Sequence, residues 1–91
     1  MPKMKIGSHI KIAGVVAPKE RDKRGNLIQV SIDTDRFERY IIADDAMGQE
    51  LFDYLNADVE IEGRVVGEDI DGYKVISVMR YKLIRPHYVT N

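Results

Sequence analysis

The sequence predicts an all-β barrel of five strands, with one short helix between the third and fourth strands. Three observations predict this class. Runs of alternating apolar and polar residues recur along most of the chain, as in half-buried strands. A single amphipathic helical pattern interrupts them after residue 43. In the last third, Ala57–Ile84, two alternating runs flank an acidic turn closed by glycine, which indicates a hairpin.

The chain of 91 residues is long enough for one hydrophobic core and too short for two. We therefore expect a single domain over 1–91, with its core between about 6 and 85 and a short tail at 86–91. The sequence contains no cysteine, which excludes disulfides, thiolate catalysis and cysteine-bound zinc. It has no apolar run of signal-peptide or membrane-spanning length, so we expect a cytoplasmic protein outside any membrane.

The first two strands are predicted over His9–Val16 and Leu27–Thr34, where apolar residues alternate with polar ones. Gly14 predicts a bend in the first strand, as a strand that wraps a small barrel needs. Pro18 has no amide proton and is expected to end the regular pairing of that strand. The charged segment Lys19–Asn26 is predicted to be the loop between the two strands.

The third strand is predicted over Phe37–Ala43, where the pattern leaves open which face is buried. Asp44 or Asp45 is expected to cap a helix of about three turns that ends near Asn56. The apolar side of this helix consists of residues spaced by four: Met47, Leu51 and Leu55.

The fourth strand is predicted over Val59–Val65, and Asp71–Gly72 is expected to turn the chain into a fifth strand over Tyr73–Ile84. The fifth strand carries apolar side chains on both faces. Ile76 and Val78 are expected on its outer face, where the helix or a second subunit would cover them.

Four segments resemble the OB-fold nucleic-acid-binding superfamily, in particular its group similar to the tRNA-anticodon-binding domain. They are Gly14–Val16, Leu55 at the end of the helix, a V-x-I-x-G-x-V strand at Val59–Val65, and the final strand from Val75 through Ile84. The resemblance implies a five-stranded Greek-key OB barrel with strand order 1-2-3-5-4, closing back to strand one. It also implies binding of single-stranded DNA or RNA.

Charge is spread unevenly along a chain whose net charge is only −1. Residues 1–40 hold nine Lys or Arg against five Asp or Glu, residues 41–72 hold one against ten, and residues 73–91 hold four against none. In an OB barrel, strands one, two, three and five are contiguous, so the two basic blocks become neighbours. We therefore expect a basic surface there, with the acidic charge on strand four, its loop and the helix.

The usual ligand surface of an OB barrel lies on strands two and three, between the loops that join strands 1–2 and 4–5. On this basis we predict nine nucleic-acid-binding residues, four in the first loop, three on or beside the sheet and two from strand five: Lys19, Arg21, Lys23, Arg24, Arg36, Arg39, Tyr40, Tyr81 and Lys82. The basic side chains are expected to contact phosphates, and Tyr40 is expected to stack on a base.

Two features favour protein binding as the alternative function. The basic loop also contains Glu20 and Asp22, as an ordinary solvated loop would, and the acidic segment 68–71 would repel phosphates. The alternative is a module that binds a protein partner or forms a homodimer through the outer positions of strand five, without binding nucleic acid.

Catalysis and metal binding have little support in the sequence. His9 and His87 lie at opposite ends of the chain, with no Ser or Asp at a spacing that suggests a triad. Asp69 and Asp71 fit a hairpin turn better than a calcium loop, because the spaced ligands and terminal glutamate are absent. We expect a protein that is not an enzyme, with no metal, no cofactor and no evident small-molecule substrate.

Overall fold

The computed structural model describes residues 5–85, which form five strands and one short helix in the predicted order. The strands are β1 (His9–Arg21), β2 (Leu27–Asp33), β3 (Arg39–Ile42), β4 (Asp58–Glu68) and β5 (Lys74–Arg85). The helix α1 spans Ala46–Glu50 and continues as a 3-10 turn over Leu51–Tyr54. The expected tail at 86–91 lies outside the described residues. Within the described range, no helix is long and apolar enough to cross a membrane.

The strands close into a barrel in the order β1-β2-β3-β5-β4, as predicted. Neighbouring strands are antiparallel except β3 and β5, which run parallel and pair only at Ile41 with Val75 and Ile42 with Ile76. β1 pairs with two strands, β4 and β2. Its first half pairs with β4, and from Val15 onward it pairs with β2.

Two glycines allow the backbones to approach closely where strands cross over one another. A Cβ at Gly14 would lie 2.5 Å from the carbonyl oxygen of Asp33 on β2. A Cβ at Gly63 would lie 2.3 Å from the carbonyl oxygen of Ser77 on β5. Contacts this short do not occur for real side chains, so both positions require glycine. Gly14, where the sequence predicts a bend or bulge, lies next to the point where β1 passes from β4 to β2.

The core fills the barrel with aliphatic side chains from every strand and from the helical segment. Its least exposed members are Val16, Val30, Ile32, Leu51, Val59, Ile61, Val65 and Ile76. Asp45 caps α1, since its Oδ1 accepts the amide of Gly48 at 2.8 Å. The α-helical part is shorter than the three turns expected, because the chain tightens into the 3-10 turn that carries Leu51 into the core. Asn56 ends the segment in a left-handed conformation, φ 71°.

The expected end of pairing at Pro18 is wrong, because β1 continues to Arg21. The amide of Val16 points away from β2 and donates to the carbonyl of Ala57 at 3.0 Å. Amides two residues apart in a strand point the same way, so the amide position of Pro18 also faces away from β2. Its missing proton therefore removes no hydrogen bond from the ladder between β1 and β2.

The expected outer placement of Ile76 and Val78 is also wrong, because both side chains are buried in the core. The register of β4 and β5 shifts between the pair Gly63–Val78 and the pair Glu62–Arg80, which leaves Met79 as an extra residue on β5. A one-residue bulge exchanges the two faces of a strand. Before the bulge, the even-numbered residues of β5 point into the core. After the bulge, the odd-numbered Tyr81 packs against the core.

We expect Gly63→Ala to lower the free energy of unfolding by about 1–3 kcal/mol, because the new methyl group forces β4 and β5 apart. Gly67 lies on the same strand, where a Cβ would meet no atom within 4 Å, and provides the matched control. Gly67→Ala should change stability by less than about 0.5 kcal/mol in urea-induced unfolding. Equal effects of the two substitutions would contradict the close approach at Gly63.

Candidate nucleic-acid interface

Three of the loops that join strands fold into the same five-residue turn, at Asp22–Asn26, Thr34–Glu38 and Asp69–Tyr73. In each, the first amide donates to the fifth carbonyl, and the fourth amide donates to the first carbonyl. The side-chain oxygen of the first residue also accepts the amides of the third and fifth residues, at 2.9–3.3 Å. Asp and Thr favour such turns because their short side chains reach the backbone of the same loop.

The fourth residue distinguishes one turn from the other two. It has a positive φ in all three, 87° at Gly25, 89° at Gly72 and 64° at Phe37. A left-handed backbone costs a residue with a Cβ about 1–2 kcal/mol, a cost that glycine avoids. The Phe37 side chain is 99% exposed, so no burial compensates for its backbone conformation. Phe37 is therefore a locally unfavourable residue for which the fold itself provides no reason.

Phe37 borders a surface groove of about 310 Å³, here called the aromatic groove. The groove is lined by Asp33, Thr34, Phe37, Glu38, Arg39 and Tyr73. It forms where the turn 34–38, which precedes β3, meets the turn 69–73, which precedes β5. The parallel pairing of β3 with β5 brings the two turns to the same end of the barrel. The Tyr73 ring lies under the Arg39 guanidinium, 5.8 Å from its carbon to the ring centroid, at cation–π distance.

Arg39 is fixed in the groove by Asp33. Its Nε and Nη2 donate to the two Asp33 carboxylate oxygens at 3.0 and 3.1 Å, and the Ser31 hydroxyl donates to Oδ1 at 2.9 Å. Burial raises the pKa of Asp33, but the hydrogen bonds from Arg39 and Ser31 together outweigh it and hold that pKa below its ordinary value. The pair is rigid and largely neutral as a unit, so Arg39 offers oriented donors rather than a free positive charge.

Tyr40 does not lie on the outer surface as predicted. It is 7% exposed and belongs to the core cluster, on the inner face of β3 together with Ile42. Burial, together with the nearby Glu38 carboxylate that its hydroxyl hydrogen-bonds, raises the pKa of Tyr40. Its ring is therefore unavailable for stacking. The sequence left open which face of β3 is buried. Ile41, on the face opposite Tyr40 and Ile42, is buried as well, so β3 is covered on both faces and only Arg39 is partly exposed.

The four basic residues predicted in the first loop lie together, but two of them are on a strand. Lys19 and Arg21 extend β1, whereas Lys23 and Arg24 are exposed in the turn 22–26. We call these four residues the basic hairpin. Within residues 5–85, none of them forms an ion pair, and the Arg21 Nη1 donates to the carbonyl of Gly25 at 3.0 Å.

The basic hairpin and the aromatic groove occupy opposite ends of β2. The turn 22–26 precedes β2 and the turn 34–38 follows it, so the seven residues of the strand separate them by roughly 20 Å. Arg36 is exposed in the second turn beside Phe37 and, within the described residues, also forms no ion pair. The predicted cations thus lie at both ends of the outer face of β2 and do not form a single cluster.

Tyr81 and Lys82 lie away from this surface, contrary to the prediction. β5 pairs with β3 only at its start, and these two residues are near its other end. The Tyr81 hydroxyl donates to Glu50 on α1 at 2.8 Å, and this hydrogen bond raises the pKa of Tyr81 to about 12. Lys82 points outward opposite Glu60 of β4, on a face where acidic and basic side chains alternate.

No other chemistry is evident in the described residues. Within 5–85, no group of three or more acidic or histidine side chains is placed to hold a metal ion. The Asp69 carboxylate accepts the amides of Asp71 and Tyr73 within its own turn, as expected for a hairpin. His9 lies 2.7 Å from the Glu62 carboxylate, which also accepts from Arg80. The latter hydrogen bond, followed by that from His9, keeps the pKa of Glu62 below its ordinary value.

Phe37 and Tyr73 are the aromatic residues that sequence reasoning missed. Both lie at the start of predicted strands, where an aromatic residue in an alternating pattern is ordinary. The available signal was the likeness of three short segments, DKRGN, TDRFE and DIDGY, in which an acceptor side chain opens the turn. Aligned in this way, phenylalanine stands in the glycine position of the second segment.

We expect Phe37→Gly to raise the free energy of unfolding by about 0.5–1 kcal/mol. The roughly 1–2 kcal/mol of backbone strain is relieved, and the greater chain entropy of glycine offsets part of that gain. Gly25→Ala makes the converse change in a sister turn and should destabilise the protein by about 1 kcal/mol. Thermal and urea unfolding of both variants tests this, and a destabilised Phe37→Gly variant would show that the ring supports the fold.

No protein-family model matches the chain, and no curated protein matches it in sequence. Among solved structures, the chain is similar to Rim1, a mitochondrial single-stranded DNA binding protein from S. cerevisiae. The two share 14% sequence identity with a TM-score of 0.57, over 91% of this chain and 99% of that chain. At this identity the similarity shows the fold alone. The five-stranded barrel is an OB fold, as the sequence predicted.

Proposed function

We propose that this OB barrel binds single-stranded nucleic acid without catalysis. Bases stack in the aromatic groove, and phosphates contact Arg36 and the basic hairpin. The observation that carries this proposal is Phe37, a fully exposed aromatic ring in a backbone conformation that its sister turns assign to glycine. Strained residues of this kind are found where a site requires them.

A ring presented in this way is suited to stacking on a base. Stacking on an exposed aromatic side chain contributes about 1–3 kcal/mol per base, which is comparable to the backbone cost of Phe37. Tyr73 provides a second ring in the groove lining, and the Arg39 guanidinium lies over one of its faces. A nucleobase has two faces, and the groove presents an aromatic ring from each of its two turns.

The positions of the cations indicate the path of the bound nucleic acid. Arg36 lies beside the groove, and the basic hairpin lies roughly 20 Å away along β2. OB folds contact about 4 nucleotides or more, which is enough chain to span this distance. Phosphates contacted at both ends make the affinity dependent on salt.

The similarity to a barrel named as a single-stranded DNA binding protein supports the same class of ligand. The narrower relationship, to the tRNA-anticodon-binding-domain-like group, remains a prediction from the sequence pattern. Both DNA and RNA are compatible with stacking and phosphate contacts, so the proposal covers either polymer.

A protein partner is the second candidate, and one side chain favours it. Ile70 is 99% exposed in the turn 69–73, between the carboxylates of Asp69 and Asp71. An apolar side chain framed by acidic residues would suit a partner with an apolar pocket rimmed by Lys or Arg. A homodimer through Ile76 and Val78 is no longer part of this alternative, because both are core residues.

Fluorescence anisotropy with labelled DNA and RNA of about a dozen nucleotides tests the proposal. We expect micromolar or tighter binding that weakens as salt rises. Phe37→Gly should weaken it about 5-fold or more through loss of stacking, while Phe37→Trp should retain it. Absence of binding at low salt would contradict the proposal and leave the protein-partner function as the better one.

The contribution of the basic hairpin is tested by the double variant Lys23→Gln, Arg24→Gln. The slope of log K against log salt should become shallower by about 1.4, since each lost contact to single-stranded nucleic acid removes roughly 0.7. The matched control is Lys11→Gln, Lys82→Gln, which removes two cations from the opposite face. Equal slopes for the two double variants would show only a general effect of net charge.

A further inference from the structure

The aromatic groove has the wrong charge for a phosphate. Its lining contains two carboxylates, Asp33 and Glu38, and a single cation, Arg39, that is already paired with Asp33. We propose, on the basis of the function proposed above, that the groove selects a base carrying an exocyclic amino group, with Glu38 as the specificity-determining residue. Cytosine, adenine and guanine carry such a group, whereas uracil and thymine do not.

Glu38 provides a carboxylate acceptor in the lining of the groove. It is the fifth residue of the turn 34–38, and its amide donates to the Thr34 hydroxyl at 3.2 Å. Its carboxylate lies close enough to the buried Tyr40 hydroxyl to raise the pKa of that tyrosine. A carboxylate offers about four acceptor positions to a ligand. Because the turn fixes the Glu38 backbone, less entropy is lost when a ligand orders this residue.

Arg39 is a fixed donor beside that acceptor. Asp33 engages its Nε and Nη2, and Nη1 has no hydrogen-bond partner among residues 5–85. The groove lining therefore contains a carboxylate acceptor, a guanidinium donor and two aromatic rings. A base that stacks there meets both groups along its edge.

This pair of groups discriminates between bases by electrostatics. The cytosine edge has an amino donor next to ring and carbonyl acceptors, which matches a carboxylate beside a guanidinium. In uracil and thymine a carbonyl replaces the amino group, and its oxygen repels the carboxylate. The single N–H donor on this edge of uracil or thymine lies between two carbonyls. A hydrogen bond from this N–H to Glu38 therefore brings a carbonyl oxygen of the base close to the carboxylate. Tyr40, predicted as the stacking residue, instead lies buried near the residue that we propose reads the base.

The test compares binding of dC12 and dU12 by anisotropy at one low salt concentration. These oligonucleotides are both flexible pyrimidine strands without a 5-methyl group, so they differ only at the base edge. We expect wild-type protein to bind dC12 about 5-fold or more tightly than dU12, the range for one good base contact. Glu38→Gln should bring the ratio near 1, because an amide can also donate to the uracil carbonyl.

Asp35→Asn is the matched control, since it removes a negative charge from the same turn outside the groove lining. It should raise affinity for both oligonucleotides and leave their ratio unchanged. Binding of both oligonucleotides with a ratio near 1 in the wild type would overturn base selection and leave the proposed function standing. A wild-type ratio that survives Glu38→Gln would overturn the role of Glu38. Failure of both oligonucleotides to bind would overturn the proposed function and this inference with it.

Discussion

The double pairing of β1 is the constraint on which the rest of the structure depends. A single strand must pair with β4 over its first half and with β2 over its second, and it can do so only if it bends at Val15. Gly14 permits the bend because β2 ends directly against its backbone, where a side chain would collide. Without that approach the sheet would stay open and leave hydrogen-bonding edges exposed. Closure also encloses the aliphatic core.

Barrel closure determines which loops become neighbours. Since β3 and β5 are parallel, the turns that precede them meet at one end, and the turn that precedes β2 lies at the other. The aromatic groove therefore arises from topology, since Phe37 and Tyr73 are 36 positions apart in the chain and lie on separate hairpins. The same geometry separates the basic hairpin from the groove. A ligand that used both would have to follow the outer face of β2.

Much of the fold could be predicted from the sequence, because the strands follow the two-residue period of a half-buried sheet. The inward positions of β4 and the Asp45 cap depend on local patterns, and both predictions are confirmed. The errors arose where tertiary pairing overrides the local pattern. The bulge at Met79 exchanges the faces of β5, and the outward amide position of Pro18 lets β1 continue. Neither feature can be predicted from the two-residue period of apolar side chains alone.

The candidate site was less predictable than the fold. The basic residues could be identified by composition, but their distribution over the two ends of β2 depends on strand directions. Tyr40, predicted to stack on a base, lies in the core, whereas Phe37, in the turn that starts at Thr34, is the exposed ring. The exposure of the Phe37 ring depends on the conformation of its turn, in which Phe37 occupies the position that glycine holds in the two sister turns.

Titration of ¹⁵N-labelled protein with unlabelled dC12, followed by amide chemical shifts, tests whether Phe37 is exposed in order to bind a ligand. We expect shifts concentrated in residues 33–39 and 69–74, with smaller ones at 19–26. Amides of residues 9–12 and 58–62, on the opposite face, should stay unchanged. Shifts confined to that opposite face, with residues 33–39 unaffected, would show that Phe37 does not contact the ligand.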